Sequence, residues 1–481
     1  MSRTTRVPVV LGSALLVSYA YFYQAGGWNQ NSRFALVRAI LERHTVQIDA
    51  YQAHTGDRAL WRGHYYSDKA PGTSLVALAP VAAARAAARA FGVDPESFPG
   101  IAWTSYVATV VTSALFTTIA ALAVFWLSRR WGASEPAAIF ATTAYGLATP
   151  AWCYATLFMG HGVTVGCLMF ALAASVALDE GTRRRRLGWL VGLSSGLAVV
   201  SEFPAAIPVL LIAALAVMTV HRRDPRDTWP VAVRILAGGA LMAAVLVAYN
   251  TLAFDSPFRL GYGNEDNVEG VAMQQGLFGI TYPTLHVTYE VLLGSYRGLL
   301  PLSPLVAFAP IGLALLARAR SRRLPTIVAA LTATFYIVLN LSYKYWEGGW
   351  AYSPRQLTPA LAFLALGLAP LWDGWRRAGR AALVVCWLWG VALTLVAVST
   401  TPQPPSNVTS PVTQLLWPAF REGDLSLNTQ TFVHNTVDGD SLRHNPLNHA
   451  AWNVGELMKL HGLASLVPLG VVWGVAALAL L

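Results

Sequence analysis

The chain has 481 residues, of which 55% are hydrophobic and only 12% are charged, and its mean hydropathy is +0.47. A soluble globular protein carries about 25% charged residues, so this composition excludes an ordinary soluble enzyme and indicates a membrane protein. The net charge of +10 does not indicate nucleic-acid binding, because the basic residues are scattered over short loops between apolar segments.

Twelve apolar segments are candidate membrane-spanning helices. In chain order they are 7–24, 102–127, 137–157, 162–178, 187–200, 205–220, 230–252, 299–317, 325–342, 357–372, 380–399 and 461–481. The first one lacks a small-residue cleavage site, so we interpret it as a retained span and not as a signal peptide. The sequence therefore predicts an all-α polytopic membrane protein with about 12 spans, in which residues 1–481 form a single integral membrane domain.

Short arginine-rich loops between the predicted spans indicate the orientation of the chain. These loops are 129–130, 183–186, 222–226, 318–323 and 376–380. If both termini are cytoplasmic, every one of these loops lies on the cytoplasmic side, as the distribution of basic residues in membrane proteins requires. The sequence therefore predicts a multi-pass protein with both termini in the cytoplasm.

The segment 73–91 is also apolar, but we do not count it as a span. It contains Arg85 and Arg89, and each arginine would cost about 2.5–3.5 kcal/mol near the centre of a bilayer. Counting it would also move every later basic loop to the other side of the membrane. We expect a helix that lies against the outer membrane surface or the protein body, within one large first external loop over residues 25–101.

Further external loops are predicted at 255–298, 343–356 and 401–460. The first external loop carries charged and aromatic residues directly above the membrane, where a lysine can bind a lipid phosphate and a carboxylate can accept a proton from a hydroxyl. The alternative interpretation is a solvated loop that leads into a helix at Pro71. The candidate functional residues of this loop are Arg33, Asp49, Asp57, Tyr66, Asp68 and Lys69.

More polar and aromatic residues lie near the outer ends of the later predicted spans. They could line a polar pocket, in which aromatic faces stack on sugar rings and arginine binds a phosphate through two hydrogen bonds. The alternative is an interfacial belt of side chains that are satisfied by water or backbone. These candidates are His161, Glu202, Arg297, Tyr345, Glu347 and Arg355.

The sequence has no signature of a metal site, since HExxH and CxxC motifs are both missing from it. The three cysteines, Cys153, Cys167 and Cys386, lie inside apolar segments and have neither a disulfide nor a metal-binding spacing. We therefore predict no metal ligand and no certain cofactor, and a divalent cation is left open.

The order of one span, a long charged external loop and then many spans resembles the GT-C superfamily of membrane glycosyltransferases. The closest resemblance is to bacterial protein-mannosyltransferase-like members, and it extends from about residue 20 to 370. The stretches that carry it are 66–72, 296–298, 346–349 and 354–355. The resemblance implies a polyprenyl-phosphate sugar as donor, a lipid, glycan or protein as acceptor, and a location in the bacterial cytoplasmic (inner) membrane with chemistry at its outer face.

The resemblance also implies roles for residues of the first external loop. Lys69 takes the position of the lysine that faces the lipid phosphate, and Arg33 with Phe34 matches an arginine–aromatic pair near the catalytic carboxylate. This sequence departs from the pattern before that pair, because Gln30 and Asn31 cannot act as a base. A different carboxylate must then take the role, or the protein is not catalytic.

Three carboxylates of the loop are candidates for this role. We favour Asp49, which follows the first predicted surface helix, and place Asp68 second, while Asp57 stays open. In the expected reaction the base takes a proton from the acceptor hydroxyl as that hydroxyl attacks the anomeric carbon.

The other candidate residues are expected to bind the substrates. The leaving phosphate would be stabilised by Lys69, Arg297 or Arg355, and the sugar or acceptor would be lined by His161, Glu202 and Tyr345. A ligase or polymerase that uses a lipid-linked oligosaccharide would place its polar residues in the same way. A transporter or flippase would need ionisable residues near the middle of the membrane and an internal repeat, and the sequence shows neither.

Overall fold

The computed structural model describes residues 3–181, 183–266, 275–428, 430–433 and 450–480. Nearly all of its regular structure is helical. The α-helices are Arg3–Ala20, Trp28–Arg43, Gly72–Ala90, Phe98–Thr109, Leu115–Arg130, Glu135–Leu147, Ala151–Ala155, Gly160–Ala177, Arg184–Ser201, Ala206–Arg223, Pro225–Phe254, Leu285–Leu292, Leu299–Leu302, Ala309–Arg318, Arg320–Leu341, Thr358–Ala365, Leu368–Gly374, Arg377–Ser399, Trp417–Glu422, Val454–Leu457 and Val467–Leu480.

Eight helices in the described part of the chain are long and apolar enough to cross a membrane. They coincide with eight of the predicted spans and confirm a helical, multi-pass membrane protein. They are Phe98–Arg130, Gly160–Glu180, Phe203–Arg223, Pro225–Phe254, Arg320–Leu341, Arg355–Gly374, Arg377–Ser399 and Gly462–Leu480.

The other four predicted spans are shorter, interrupted or more charged. The segment 7–24 is helical only to Ala20, and 187–200 lies in a helix that begins with three arginines at Arg184. The segments 137–157 and 299–317 are each broken, next to Pro150 and Pro304 respectively. Proline lacks the N–H that continues a helix and clashes with the preceding turn, so a long apolar run does not by itself give one long helix.

The segment 73–91 forms the helix Gly72–Ala90, and Arg85 of this helix is buried by protein. Its guanidinium is paired with the carboxylate of Glu42, which also accepts a hydrogen bond of 3.0 Å from Arg38 Nε. Glu42 lies in the helix Trp28–Arg43, so the ion pairs join the two helices of the first external loop. The arginine that would be costly in lipid is neutralised within the protein.

Two small antiparallel sheets were not predicted, so the all-α prediction is incomplete for the loops. β1 (Phe22–Tyr23) pairs with β4 (Trp452–Asn453), and β2 (Arg58–Trp61) pairs with β3 (His64–Ser67). The turn between β2 and β3 consists of Arg62 and Gly63, which both have positive φ angles of 48° and 83°. Two such residues form the turn that matches the twist of a tight hairpin, and β3 leads directly to Asp68 and Lys69.

Helices approach one another closely where glycines lie at their contacts. A Cβ atom placed on Gly312 would lie 1.6 Å from the carbonyl oxygen of Gly367, and one on Gly192 would lie 2.2 Å from that of Ile235. Small residues at helix interfaces allow backbones to pack at short distance in membranes, where the hydrophobic effect does not drive association.

Candidate active site

A cavity of about 720 Å³ lies between the first external loop and the ends of several spanning helices. Most of the candidate residues that the sequence analysis named lie at this cavity, although they are far apart in the chain. The predicted site residues that line it are Arg33, Asp57, Lys69, His161, Glu202, Tyr345 and Arg355.

Lys69 is held between two carboxylates at the wall of the cavity. Its Nζ atom lies 2.9 Å from Asp57 Oδ2 and 2.6 Å from Asp68 Oδ2, and it stands 5.6 Å from the centre of the Tyr262 ring. Asp57 lines the cavity, whereas Asp68 is buried behind the lysine and accepts a hydrogen bond of 3.1 Å from Ser32 Oγ. The hairpin β2–β3 positions this group, because Asp57 precedes β2 and Asp68 follows β3.

Burial and charge together set the protonation of this cluster. Burial alone would lower the pKa of Lys69, but Asp57 and Asp68 raise that pKa well above its ordinary value. Burial raises the pKa of Asp68, and Lys69 opposes part of this rise. Burial and the nearby charge of Asp68 raise the pKa of Glu265, which also lines the cavity, to about 8. Near neutral pH the lysine is therefore charged while Glu265 retains its proton.

A second charged group joins the first external loop to the spanning helices. Arg33 is almost fully buried, and its Nη2 atom lies 2.7 Å from Glu202 Oε1. The same guanidinium donates to Asn29 Oδ1 at 3.1 Å and to the carbonyl oxygen of Ala70 at 3.0 Å. His161 Nδ1 lies 3.8 Å from Glu202 Oε1. Arg33 is thus engaged with protein groups, and it orients Glu202 towards the cavity.

Among the predicted residues outside the cavity, Asp49 is the most informative. Its half-exposed carboxylate lies 2.7 Å from His64 Nδ1 and accepts a hydrogen bond of 2.6 Å from the Tyr65 backbone N–H. These contacts hold it on the outer surface of the hairpin. The geometry therefore does not favour Asp49 as a base, because its carboxylate is not among the groups that line the cavity.

Three further predicted residues serve packing in the structure. The Tyr66 ring packs against Phe254, with ring centres 5.3 Å apart. The buried guanidinium of Arg297 donates to the backbone oxygen of Glu347 and lies 4.4 Å from the centre of the Tyr296 ring. Neither Tyr66, Arg297 nor Glu347 lines the cavity, so these residues support its walls from behind.

Several residues of the cavity were missed by the sequence analysis. Glu265 lies in the predicted loop 255–298 without a motif around it that could have indicated a site. A group of amides also lines the cavity: Asn29, Gln30, Gln356, Gln403 and Gln430. Gln30 Nε2 donates to Gln403 Oε1 at 2.7 Å across 373 positions of sequence, and no sequence spacing reveals such a contact.

Part of the cavity lining is apolar. It is formed by residues of two helices that are long and apolar enough to span a membrane, Ile207 of Phe203–Arg223 and Phe335, Val338 of Arg320–Leu341. Ile207 and Val338 are also 49% and 47% exposed. The site therefore combines charged groups with apolar side chains from two spanning helices.

The described residues contain no group of three or more histidine, cysteine, aspartate or glutamate side chains that could hold a metal ion. Two carboxylates beside the cavity, Asp57 and Asp68, are both engaged by the ammonium of Lys69. The chemistry that these residues offer is that of anion binding and proton transfer.

No protein-family profile and no curated protein matches this sequence. Solved structures do match it. The apo structure of ArnT from Cupriavidus metallidurans has a TM-score of 0.52 and 16% identity, with 87% of this chain and 68% of ArnT covered. The structure of ArnT from the same organism bound to undecaprenyl phosphate has a TM-score of 0.52 and 15% identity, with 88% of this chain and 68% of ArnT covered. The structure of the oligosaccharyltransferase of Archaeoglobus fulgidus in a complex with Zn and sulfate has a TM-score of 0.52 and 16% identity. It covers 91% of this chain and 57% of the oligosaccharyltransferase.

These identities are low, so the likeness concerns the fold and not the substrates. The chain is a helical multi-pass membrane protein with a fold similar to those of ArnT and of the Archaeoglobus fulgidus oligosaccharyltransferase.

Proposed function

We propose that this protein is a glycosyltransferase that moves a sugar from a polyprenyl-phosphate donor to a lipid, glycan or protein acceptor. The reaction takes place at the outer face of the bacterial cytoplasmic membrane. The observation that carries the proposal is the cavity itself, which is lined both by the ammonium of Lys69 and by apolar side chains of two spanning helices. A ligand with an anionic head and an isoprenoid tail has the same two parts.

The donor is seated with its isoprenoid chain against Ile207, Phe335 and Val338 and with its phosphate towards Lys69 and Arg355. Lys69 then exchanges one of its two carboxylate contacts for a phosphate oxygen, which keeps the buried ammonium paired. The similar fold of ArnT, which has been solved with undecaprenyl phosphate, supports this type of ligand.

The transfer is a displacement at the anomeric carbon of the sugar. The acceptor oxygen forms the new bond, the bond between the anomeric carbon and the phosphate oxygen breaks, and the electron pair leaves with the phosphate. The proton of the acceptor hydroxyl passes to Asp57, the loop carboxylate that lines the cavity. Asp68 is the second candidate. The enzyme contributes mainly position and electrostatic stabilisation of the leaving phosphate.

A ligase or polymerase that transfers a lipid-linked oligosaccharide is the second candidate function. The similar fold of the Archaeoglobus fulgidus oligosaccharyltransferase favours it. Both functions need the same charged groups and the same apolar lining for a lipid, and they differ in the size of the transferred group. A mannosyl donor is the first to test, because of the resemblance to protein-mannosyltransferase-like enzymes.

The test uses the full chain in lipid nanodiscs, labelled polyprenyl-phosphate sugars and a membrane extract that supplies acceptors. We expect release of polyprenyl phosphate and transfer of the label. Asp57→Asn should lower the rate by about 10²–10⁴-fold, the usual contribution of a general base. Asp94→Asn, which changes an exposed carboxylate of the same loop, is the matched control.

Each outcome bears on a separate part of the proposal. If Asp57→Asn keeps the full rate while Asp68→Asn or Asp49→Asn loses it, the base has been assigned to the wrong carboxylate. If only oligosaccharide donors are used, the second candidate function is correct. If no polyprenyl-linked donor is bound or consumed, the transferase proposal fails.

A further inference from the structure

A second cleft lies at the other end of the two helices that wall the cavity. It has a volume of about 460 Å³ and is lined by Arg222, Arg320, Arg323, Leu324 and Ile327. The cavity contacts the first residues of Phe203–Arg223 and the last residues of Arg320–Leu341, whereas the cleft contacts their opposite ends. A helix of about 22 residues is roughly 33 Å long, so the two sites are separated by the thickness of a membrane.

Some arginines at this end of the protein are paired with carboxylates. Arg184 Nη1 lies 3.1 Å from a carboxylate oxygen of Asp224 and 3.1 Å from one of Asp227. Arg223 and Arg130 also have carboxylate partners.

In the described part of the chain, no carboxylate lies within ion-pair distance of Arg222, Arg320 or Arg323. All three side chains are exposed, and no acidic residue lines the cleft. Three guanidinium groups therefore surround one cleft without an internal counterion. Guanidinium groups bind phosphate oxygens through paired hydrogen bonds, so an anionic group from outside the chain is the matching partner.

The apolar side of the cleft indicates what is attached to that anion. Leu324 and Ile327 follow Arg320 and Arg323 along one face of the same helix, and Ile327 is 40% exposed. A face that changes from arginine to leucine and isoleucine within two turns matches a molecule that changes from a phosphate head to an acyl chain. Basic pockets between spanning helices on the cytoplasmic side bind lipid head groups in this way.

We propose that this cleft is a binding site for an anionic phospholipid of the cytoplasmic leaflet. The phosphate of the lipid contacts Arg222, Arg320 and Arg323, and an acyl chain lies along Leu324 and Ile327. The lipid joins the ends of the two helices whose other ends form the walls of the candidate active site. This proposal does not depend on the proposed transferase function.

The test measures binding of phosphatidylglycerol to the purified full chain in detergent by native mass spectrometry. Phosphatidylcholine is the zwitterionic comparison. We expect phosphatidylglycerol to bind with at least about tenfold higher affinity, and the triple variant Arg222→Gln, Arg320→Gln, Arg323→Gln to lose that advantage, because each arginine near an anionic lipid contributes substantially to attraction. The preference should also weaken as salt is added.

The matched control removes three positive charges from the same end of the protein, outside the cleft. It is the triple variant Arg185→Gln, Arg186→Gln, Arg377→Gln, whose arginines are exposed. The control should retain the preference for phosphatidylglycerol. If both triple variants lose the preference for phosphatidylglycerol equally, the preference is a general charge effect and the proposed site is wrong. Equal binding of phosphatidylglycerol and phosphatidylcholine by the natural protein would also refute the site.

A separate arm tests whether the lipid or only its phosphate is recognised. The thermal unfolding midpoint of the protein is measured with phosphatidylglycerol at a saturating concentration and with inorganic phosphate at the same concentration. Phosphatidylglycerol should raise the midpoint, and inorganic phosphate should not. Equal protection by inorganic phosphate would overturn the assignment to a lipid. If the triple variant does not fold, Arg320→Gln alone should still reduce lipid affinity, and an unchanged affinity in that variant would refute the proposal.

Discussion

Replacement of Lys69 by methionine tests whether the ammonium holds the charged cluster together. The side chain is 8% exposed and lies within 3 Å of two carboxylate oxygens. Methionine keeps the approximate length of the side chain and removes its charge, so Asp57 and Asp68 are left buried without a cation. Removal of one partner from a buried ion pair costs about 3–5 kcal/mol, and we expect a loss of this size in the stability of Lys69→Met.

The loss should depend on pH in a defined direction. Without the lysine, which opposes the effect of burial, the pKa of Asp68 rises further above that of the unfolded chain, so this group binds a proton when the protein folds. A group whose pKa is raised in the folded state contributes stability at low pH and loses it as the pH rises. The difference between Lys69→Met and the natural protein should therefore shrink as the pH falls from about 8 towards 5.

The assay is thermal unfolding in detergent, followed by tryptophan fluorescence at several pH values. Lys459→Met is the control, because Lys459 is exposed and lies outside the cavity. The double variant Lys69→Met, Asp68→Asn should recover part of the lost stability, since it also removes one of the orphaned charges. A Lys69→Met protein with unchanged stability at every pH would refute the described charge cluster.

Two other predictions concern Glu265 and the glycine contact between helices. Since the pKa of Glu265 is about 8, protonation below that pH removes a negative charge near Lys69. Binding of a polyprenyl-phosphate sugar should strengthen as the pH falls through about 8. Glu265→Gln should abolish this pH dependence of binding, and a variant that keeps the same pH dependence would contradict the prediction. Gly312→Ala should destabilise the protein by about 1–3 kcal/mol through overpacking against Gly367. Gly374→Ala is the control, because a Cβ atom at Gly374 meets no atom within 4 Å. Equal unfolding midpoints for the two alanine variants would contradict the predicted clash at Gly312.

The spans could be predicted from hydropathy because apolar length is what a membrane selects. Eight predicted spans coincide with long apolar helices. The segments 137–157 and 299–317 differ because Pro150 and Pro304 interrupt them, and a hydropathy window averages over such a residue. The prediction that 73–91 is not a span rested on Arg85, Arg89 and the side of the later basic loops, and it stays a prediction. In the structure Arg85 is paired with Glu42.

The candidate site could be predicted in part, because polar residues of a membrane protein are restricted to the ends of the spans. His161 and Glu202 were identified by this position alone, and they line the cavity with Lys69. The choice among the loop carboxylates could not be made from the sequence. Asp49 and Asp57 are eight positions apart, and only the hairpin that follows them decides that Asp57 faces the cavity.

Glu265 was not predicted because its environment is created by distant residues. Its backbone forms a bridge with Ala59 of β2, and its raised pKa results from burial beside Asp68. Neither partner is near it in the sequence. A polar residue in a long loop carries no periodic pattern, so such contacts become visible only when the loop is folded.

The position of Lys69 depends on ion pairs that lie outside the cluster itself. Arg33 binds Glu202 at the end of a spanning helix and also the carbonyl oxygen of Ala70, the residue next to Lys69. A change that breaks the Arg33–Glu202 pair would therefore leave a buried charge and also release the backbone beside the lysine. The Arg33 guanidinium binds both Glu202 and the backbone beside Lys69. The first external loop therefore cannot move away from the membrane helices without displacing the Lys69 ammonium from the cavity. The charged lining of the cavity around Lys69 is thus fixed in advance by the same contacts that fold the loop.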